Sequence, residues 1–245
     1  MTTTAIARRW QGALFTAIPV SMAAVVFAGF SRSFFLRPWF PEAATFAAPE
    51  PIFYVHGALN ALWMALLIVQ SVLIRTGRVR LHRRLGVFGV ALAASIVVVG
   101  SLGALVGARR PGGFIGLPIP PLQFLGVIWP DMILFGLFVG LAVALRRHSE
   151  AHKRLMLLAT VNLLEAAIIR IPFDFIADGA PLMGRWLSDG FIVLLAAYDL
   201  VSRGRLHPAT LWGGLAIVAS QPLRWMFARS ELWLDFAGWA VGLLD

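Results

Sequence analysis

Seven largely apolar runs, each about twenty residues long, dominate this chain and leave few ways for it to fold. A helix rises about 1.5 Å per residue, so roughly 20 residues cross the hydrocarbon layer of a bilayer, about 30 Å thick. The runs lie near 12–30, 52–74, 85–107, 123–145, 155–172, 184–202 and 209–228. In lipid every backbone polar group must bond within the chain, and a helix does this without a partner strand. The expected fold is all-α: a polytopic membrane protein of about seven transmembrane helices with a central four-helix bundle.

The last run is interrupted by Pro222, and the stretch from Leu232 to Leu244 is too short to span, which reads as a half-buried helix at the surface. The longest connections, Ser31 to Pro51 and Gly107 to Leu122, carry Pro and Gly and read as loops, so residues 1–245 form one transmembrane domain.

Composition agrees with lipid as the solvent: 59% of the residues are apolar and 13% charged. Cysteine is absent, which excludes disulfides, thiolate metal sites, iron–sulfur clusters and a cysteine nucleophile. The formal charge of +9 comes from short arginine clusters between apolar runs, the distribution of orientation signals rather than of a nucleic-acid surface. Membrane lipids are the expected partner and nucleic acid is not. The single lysine, Lys153, falls in a polar loop, which excludes a retinal Schiff base.

Alternate loops differ in basic residues. Thirteen fall in the set with Arg8, Arg9, Arg75 to Arg84, Arg146 to Arg154, Arg203 and Arg205, against seven in the other. The positive-inside rule then puts the N-terminus in the cytoplasm, with the first helix retained rather than cleaved as a signal. The expected location is a bacterial inner membrane.

Ionisable groups within spans cost several kcal/mol unless paired or hydrated, so each is a candidate. Helix 2 presents His56, Asn60, Trp63, Leu67 and Gln70 at spacings of 4, 3, 4 and 3, one narrow stripe that must face protein or water. Counting from the helix ends puts His56, Asn60, Asp131, Glu165, Arg170 and Asp189 at about 3 to 12 Å below the outer surface, as one polar site. Such a site suits proton relay, ion binding or a small polar ligand, or else a structural ion-pair network. Glu165 and Arg170 stand about 140° apart around their helix and cannot pair, which leaves Asp131 and Asp189 as partners for Arg170.

A second set lies in the cytoplasmic loops. His82-Arg83-Arg84-Leu85 and His152-Lys153-Arg154-Leu155 recur at an offset of 70 residues, each opening a helix. Two imidazoles at one depth suit axial ligation of a haem b iron, with nearby arginines for its propionates; interfacial lipid contact is the alternative. His148 and His207 fall in polar loops and read as solvated, and Trp39, Trp129, Trp186, Trp212 and Trp233 as interfacial belts. No G-x-S-x-G turn or phosphate loop is present.

The motifs His82-Arg83-Arg84-Leu85-Gly86 and His152-Lys153-Arg154-Leu155-Met156 resemble those of an uncharacterised family of bacterial membrane proteins with paired H-R-x-L-G and H-[RK]-R-x-M hairpins. The resemblance covers helices 2 to 5 and implies a fold without an established activity. A looser similarity is to transmembrane cytochromes b, in which helices 2 and 4 share one haem and helices 3 and 5 another. Helix 4 offers Asp131 and no histidine, so only the pair on helices 3 and 5 fits. Three functions follow as expectations: haem b binding for electron transfer or haem handling; a small transporter or sensor-like protein with an intramembrane polar site; or a structural or assembly subunit of a membrane complex.

Overall fold

The computed structural model describes residues 3–40, 50–110, 119–179 and 182–244. Those residues are helical throughout, joined by turns: α1 (Thr3–Phe30), α2 (Pro51–Arg75), α3 (Val79–Ala108), α4 (Pro121–Ala144), α5 (Ser149–Val161), α6 (Glu165–Ile168), α7 (Asp174–Gly179), α8 (Leu182–Arg203), α9 (Pro208–Ala228) and α10 (Glu231–Gly242). After α1 the chain continues through a π turn, Ser31–Phe35, and a 3₁₀ turn, Arg37–Trp39.

Four stretches are long and apolar enough to cross a membrane: Gly12–Phe35, Pro51–Arg75, Val79–Ala108 and Pro121–Ala144. Their outward residues are apolar too, with Val87, Val98, Ile133 and Leu137 each more than half exposed. Helices α8 and α9 have the opposite polarity to helices of a soluble protein. Arg185, Ser188, Asp199, Thr210, Gln221 and Arg224 are buried, whereas Val193, Val201, Leu223 and Met226 point outward. A helix with polar residues inside and apolar residues outside is matched to an apolar solvent. The chain is built as an integral membrane protein whose surface meets lipid.

The basic loops gather at one end. Phe15 of α1 packs edge-on against Tyr198 of α8 at 5.3 Å, Arg203 lies 3.7 Å from Glu150, and His82 meets His152. We call this the basic end and the opposite one the far end. At the basic end α2 turns into α3 through Gly77, whose φ of +74° is a conformation that glycine adopts without strain.

Helix α5 occupies the centre. Leu155, Leu157, Leu158, Ala159, Thr160 and Val161 are all buried and Met156 is partly so, and the second half of the helix is largely enclosed. It packs on α1, α4, α8 and α9, while α2 bridges α1 and α3. The fifth apolar run, expected as one helix over 155–172, is broken after Val161. Thr160 Oγ1 donates to the Met156 carbonyl at 3.0 Å, a back-bond that bends helices, and Asn162 gives its amide to the Asp131 carbonyl of α4 at 2.7 Å. The ladder stops there and restarts as the short α6. Pro222, by contrast, does not end α9, which runs through it to Ala228.

Candidate functional site

Of the six residues expected to share one polar site, Asp131, Glu165 and Asp189 fall in one bonded group, His56 and Asn60 in a second, and Arg170 bonds to neither. The first joins α4, α6, α8 and α9 around the break in α5. Asp131 pairs with Arg224, Glu165 Oε1 accepts from Arg185 Nη2 at 3.0 Å, and both Asp189 oxygens accept from Gln221 Nε2 at 2.9 and 3.1 Å. Arg185, Gln221 and Arg224 are buried, and Trp225 lies beside Arg185 with 5.9 Å from guanidinium to ring centre. The Nε atoms of Arg185 and Arg224 are buried without an acceptor. Charges held this way in low dielectric need their partners, because a lone buried ion costs several kcal/mol.

The second group is on α2. Asn60 Nδ2 donates to the His56 carbonyl at 2.8 Å and lies 3.3 Å from His56 Nε2. The His56 ring rests against Gly100 of α3, where a Cβ would meet its Cε1 at 3.3 Å and Met132 Sδ at 2.5 Å. Gly100 thus makes room for an imidazole whose Nδ1 is buried without a partner. One helical turn on, Trp63 is fully enclosed and donates from Nε1 to Thr160 Oγ1 at 3.1 Å. The α2 stripe faces protein, as its spacing requires.

Arg170 joins neither group through an ion pair. Asp131 and Asp189, its expected partners, are taken by Arg224 and Gln221; its Nη1 donates back to Ala166 O, and its guanidinium lies 5.1 Å over Phe30 of α1. The counting of depth singled out one partner of each pair and missed Arg185, Gln221 and Arg224, which are buried by tertiary packing.

At the basic end the structure brings His82 of α3 and His152 of α5 together, with ring centroids 6.3 Å apart and planes at 90°. His152 Nδ1 lies 2.7 Å from the Ala142 carbonyl, an acceptor that orients the ring. His82 Nδ1 and Gln70 Oε1 are buried without partners. His82 and His152 are the residues that would hold a haem iron. A bare ion needs more protein ligands, and no group of three or more His, Asp or Glu gathers among the described residues. The donor set therefore fits a haem better than a simple ion.

Also at the basic end lies a cluster that sequence reasoning missed. Arg154 and Asp199 are completely buried and bonded to each other. Arg154 Nη1 also donates to Glu150 Oε2 at 2.6 Å; Asp199 Oδ2 accepts from Thr210 Oγ1 at 2.6 Å and from the His207 backbone N–H at 3.0 Å. Burial opposes the Glu150 carboxylate, but hydrogen bonds from Lys153 and Arg154 outweigh it and hold its pKa below the ordinary value. His207 is not merely solvated: its Nδ1 accepts from the Ala209 N–H at 3.0 Å and caps α9. Trp233, expected in an interfacial belt, is buried in protein with its Nε1 on the Leu122 carbonyl at 2.8 Å.

Compared with known proteins, the chain matches no family model, no curated protein and no solved structure.

Proposed function

We propose that the protein is a bacterial inner-membrane protein of about seven membrane-crossing segments, N-terminus in the cytoplasm, that holds haem b between His82 and His152 for electron transfer or haem handling. The supporting observation is that pair of rings, 6.3 Å apart and perpendicular, at the same end as the Arg154 ion pairs with Glu150 and Asp199. Satisfied ion pairs read as structure. Orphaned imidazole and amide atoms at His82 and Gln70 read as a place where something else binds. With haem bound, the iron would pass single electrons. The protein's own part is to aim two imidazoles, one oriented through the Ala142 carbonyl, and to offer arginines such as Arg83, Arg84, Arg146 and Arg147 to the propionates. Seven segments follow when the broken α5 and α6 count together as one crossing and the polar-inside helices α8 and α9 as two more.

The test is an absorbance spectrum, oxidised and then dithionite-reduced, of protein purified in mild detergent after expression with ample haem. A b-type spectrum lost in both His82→Ala and His152→Ala supports the reading; a colourless, well-folded protein sinks it.

A second reading rests on the ion-pair layer at the break in α5, where carboxylates and arginines from four helices converge. Broken helices enclosed by protein are where membrane transporters bind ions and small solutes. Here Asp131, Glu165 and Asp189 would bind a proton, an ion or a small polar ligand, with His56 and Asn60 of α2 as further polar groups. Proteoliposomes whose uptake depends on pH and stops in Asp189→Asn, in a protein lacking haem, favour this reading.

A further inference from the structure

Four arginines lie within or next to the central and inward-facing helices: Arg154, Arg170, Arg185 and Arg224. Three have carboxylate partners, in Asp199 with Glu150, in Glu165 and in Asp131. Arg170 has none among the described residues. One of its donors returns to the Ala166 carbonyl of α6, and the residue retains exposed surface, which leaves its other N–H groups without a carboxylate among the described residues. Beneath it is Phe30, the last residue of α1, and there α1 changes to a π turn, a local distortion that favours functional positions.

The packing that puts Arg170 on Phe30 is tight. A Cβ at Gly29 would lie 2.0 Å from the Ala167 carbonyl oxygen, so the backbones of α1 and α6 touch. Two more guanidiniums follow within ten residues of Phe30, and neither has a carboxylate among the described residues. Arg32 lies 5.4 Å over the Phe40 ring, and Arg37 Nη1 donates to Tyr54 Oη at 3.2 Å. Cations braced on aromatic rings at the far end, with no carboxylate partner among the described residues, are complementary to an anion from outside the chain.

We infer that Arg170, seated on Phe30 where α1 meets α6, binds an oxyanion at the far end, the phosphate of an anionic lipid headgroup or a free anion of the same chemistry. The guanidinium fork takes two oxygens of one phosphate, and Phe30 fixes its plane. Arg32 and Arg37 add long-range attraction. The site is separate from the His82 and His152 pair and from the ion-pair layer, so it stands or falls without them.

The experiment is native mass spectrometry of protein released from nanodiscs containing phosphatidylglycerol and phosphatidylcholine with identical acyl chains. Wild-type protein is expected to retain phosphatidylglycerol preferentially, and Arg170→Gln to lose roughly fivefold of that preference, the scale of one basic residue at a membrane surface. Arg110→Gln, which removes a cation paired with Glu50, serves as the control and should change little. Phe30→Leu keeps the charge but removes the ring beneath it, and should lose part of the preference. If excess inorganic phosphate displaces the lipid, the site is an oxyanion site supplied from solution; if not, the lipid headgroup is its ligand. Unchanged retention in either Arg170→Gln or Phe30→Leu overturns the inference.

Discussion

Arg154 and Asp199 face each other with neither side chain exposed, and that one contact fastens the central helix to α8. Through Thr210 and the His207 backbone N–H, the same carboxylate also holds the start of α9. Removing one partner strands the other charge. Asp199→Asn or Arg154→Ala should therefore cost about 3–5 kcal/mol, read as a lowered melting temperature in detergent. Replacing both together by apolar residues of similar size, Arg154→Met with Asp199→Leu, should recover most of the loss. A double variant no more stable than the singles would show that the contact is not what holds these helices.

Acid should loosen the same junction through His207. Its Nδ1 must be unprotonated to accept the Ala209 N–H, and its pKa is lowered from the usual 6.5 by burial and by the Arg154 and Arg203 cations. A histidine with a depressed folded pKa binds its proton more readily unfolded. Its contribution is complete above about pH 6.5 and is lost as the pH falls through the lower folded value. Melting temperatures measured from pH 8 down to pH 5 should fall in acid, and His207→Asn, which keeps a capping acceptor without titrating there, should flatten that part of the curve.

The sequence made some of this architecture legible and hid the rest for physical reasons. Apolar runs of spanning length located α1 to α4, and the α2 stripe from His56 to Gln70 faces protein as its spacing demands, because helical period and bilayer thickness are local rules. The 70-residue echo of the His82 and His152 motifs drew attention to two residues that meet in space. The break at Asn162 was not legible. It depends on a bond to the Asp131 backbone across two helices, and nothing in the run itself, which lacks Gly and has no Pro before Pro172, announces it. Arg154 was read as one more basic residue of a loop, since its burial becomes apparent only when Asp199, 45 positions away, is seen opposite.

The contact of α1 with α6 leaves no space for even one methyl group. A Cβ at Gly29 would fall 2.0 Å from the oxygen and 2.6 Å from the carbon of the Ala167 carbonyl, both backbone atoms that no rotamer change can move. Gly29→Ala is expected to destabilise by about 1–3 kcal/mol through overpacking, despite alanine's higher helix propensity. Gly140, where nothing lies within 4 Å of the added atom, is the matched control, and Gly140→Ala should be neutral or slightly stabilising. Equal melting temperatures for the two variants would mean that α1 and α6 are not in direct contact.

Trp63 and Thr160 give a pairwise test of the central packing. The indole is enclosed against Phe135, with centroids 5.1 Å apart, and its one polar atom is spent on the Thr160 hydroxyl, which in turn donates to Met156. Trp63→Phe keeps much of the apolar volume but loses the donor; Thr160→Val keeps the shape but loses the acceptor and strands the indole N–H. Each single change should cost about 1–3 kcal/mol, more for Thr160→Val because it leaves a buried donor unsatisfied. The double variant should cost clearly less than the sum of the two, since neither half of the hydrogen bond then remains to be satisfied. Strict additivity in denaturation measurements would place the two residues apart, and with them the α2 stripe and the helix that the rest of the chain encloses.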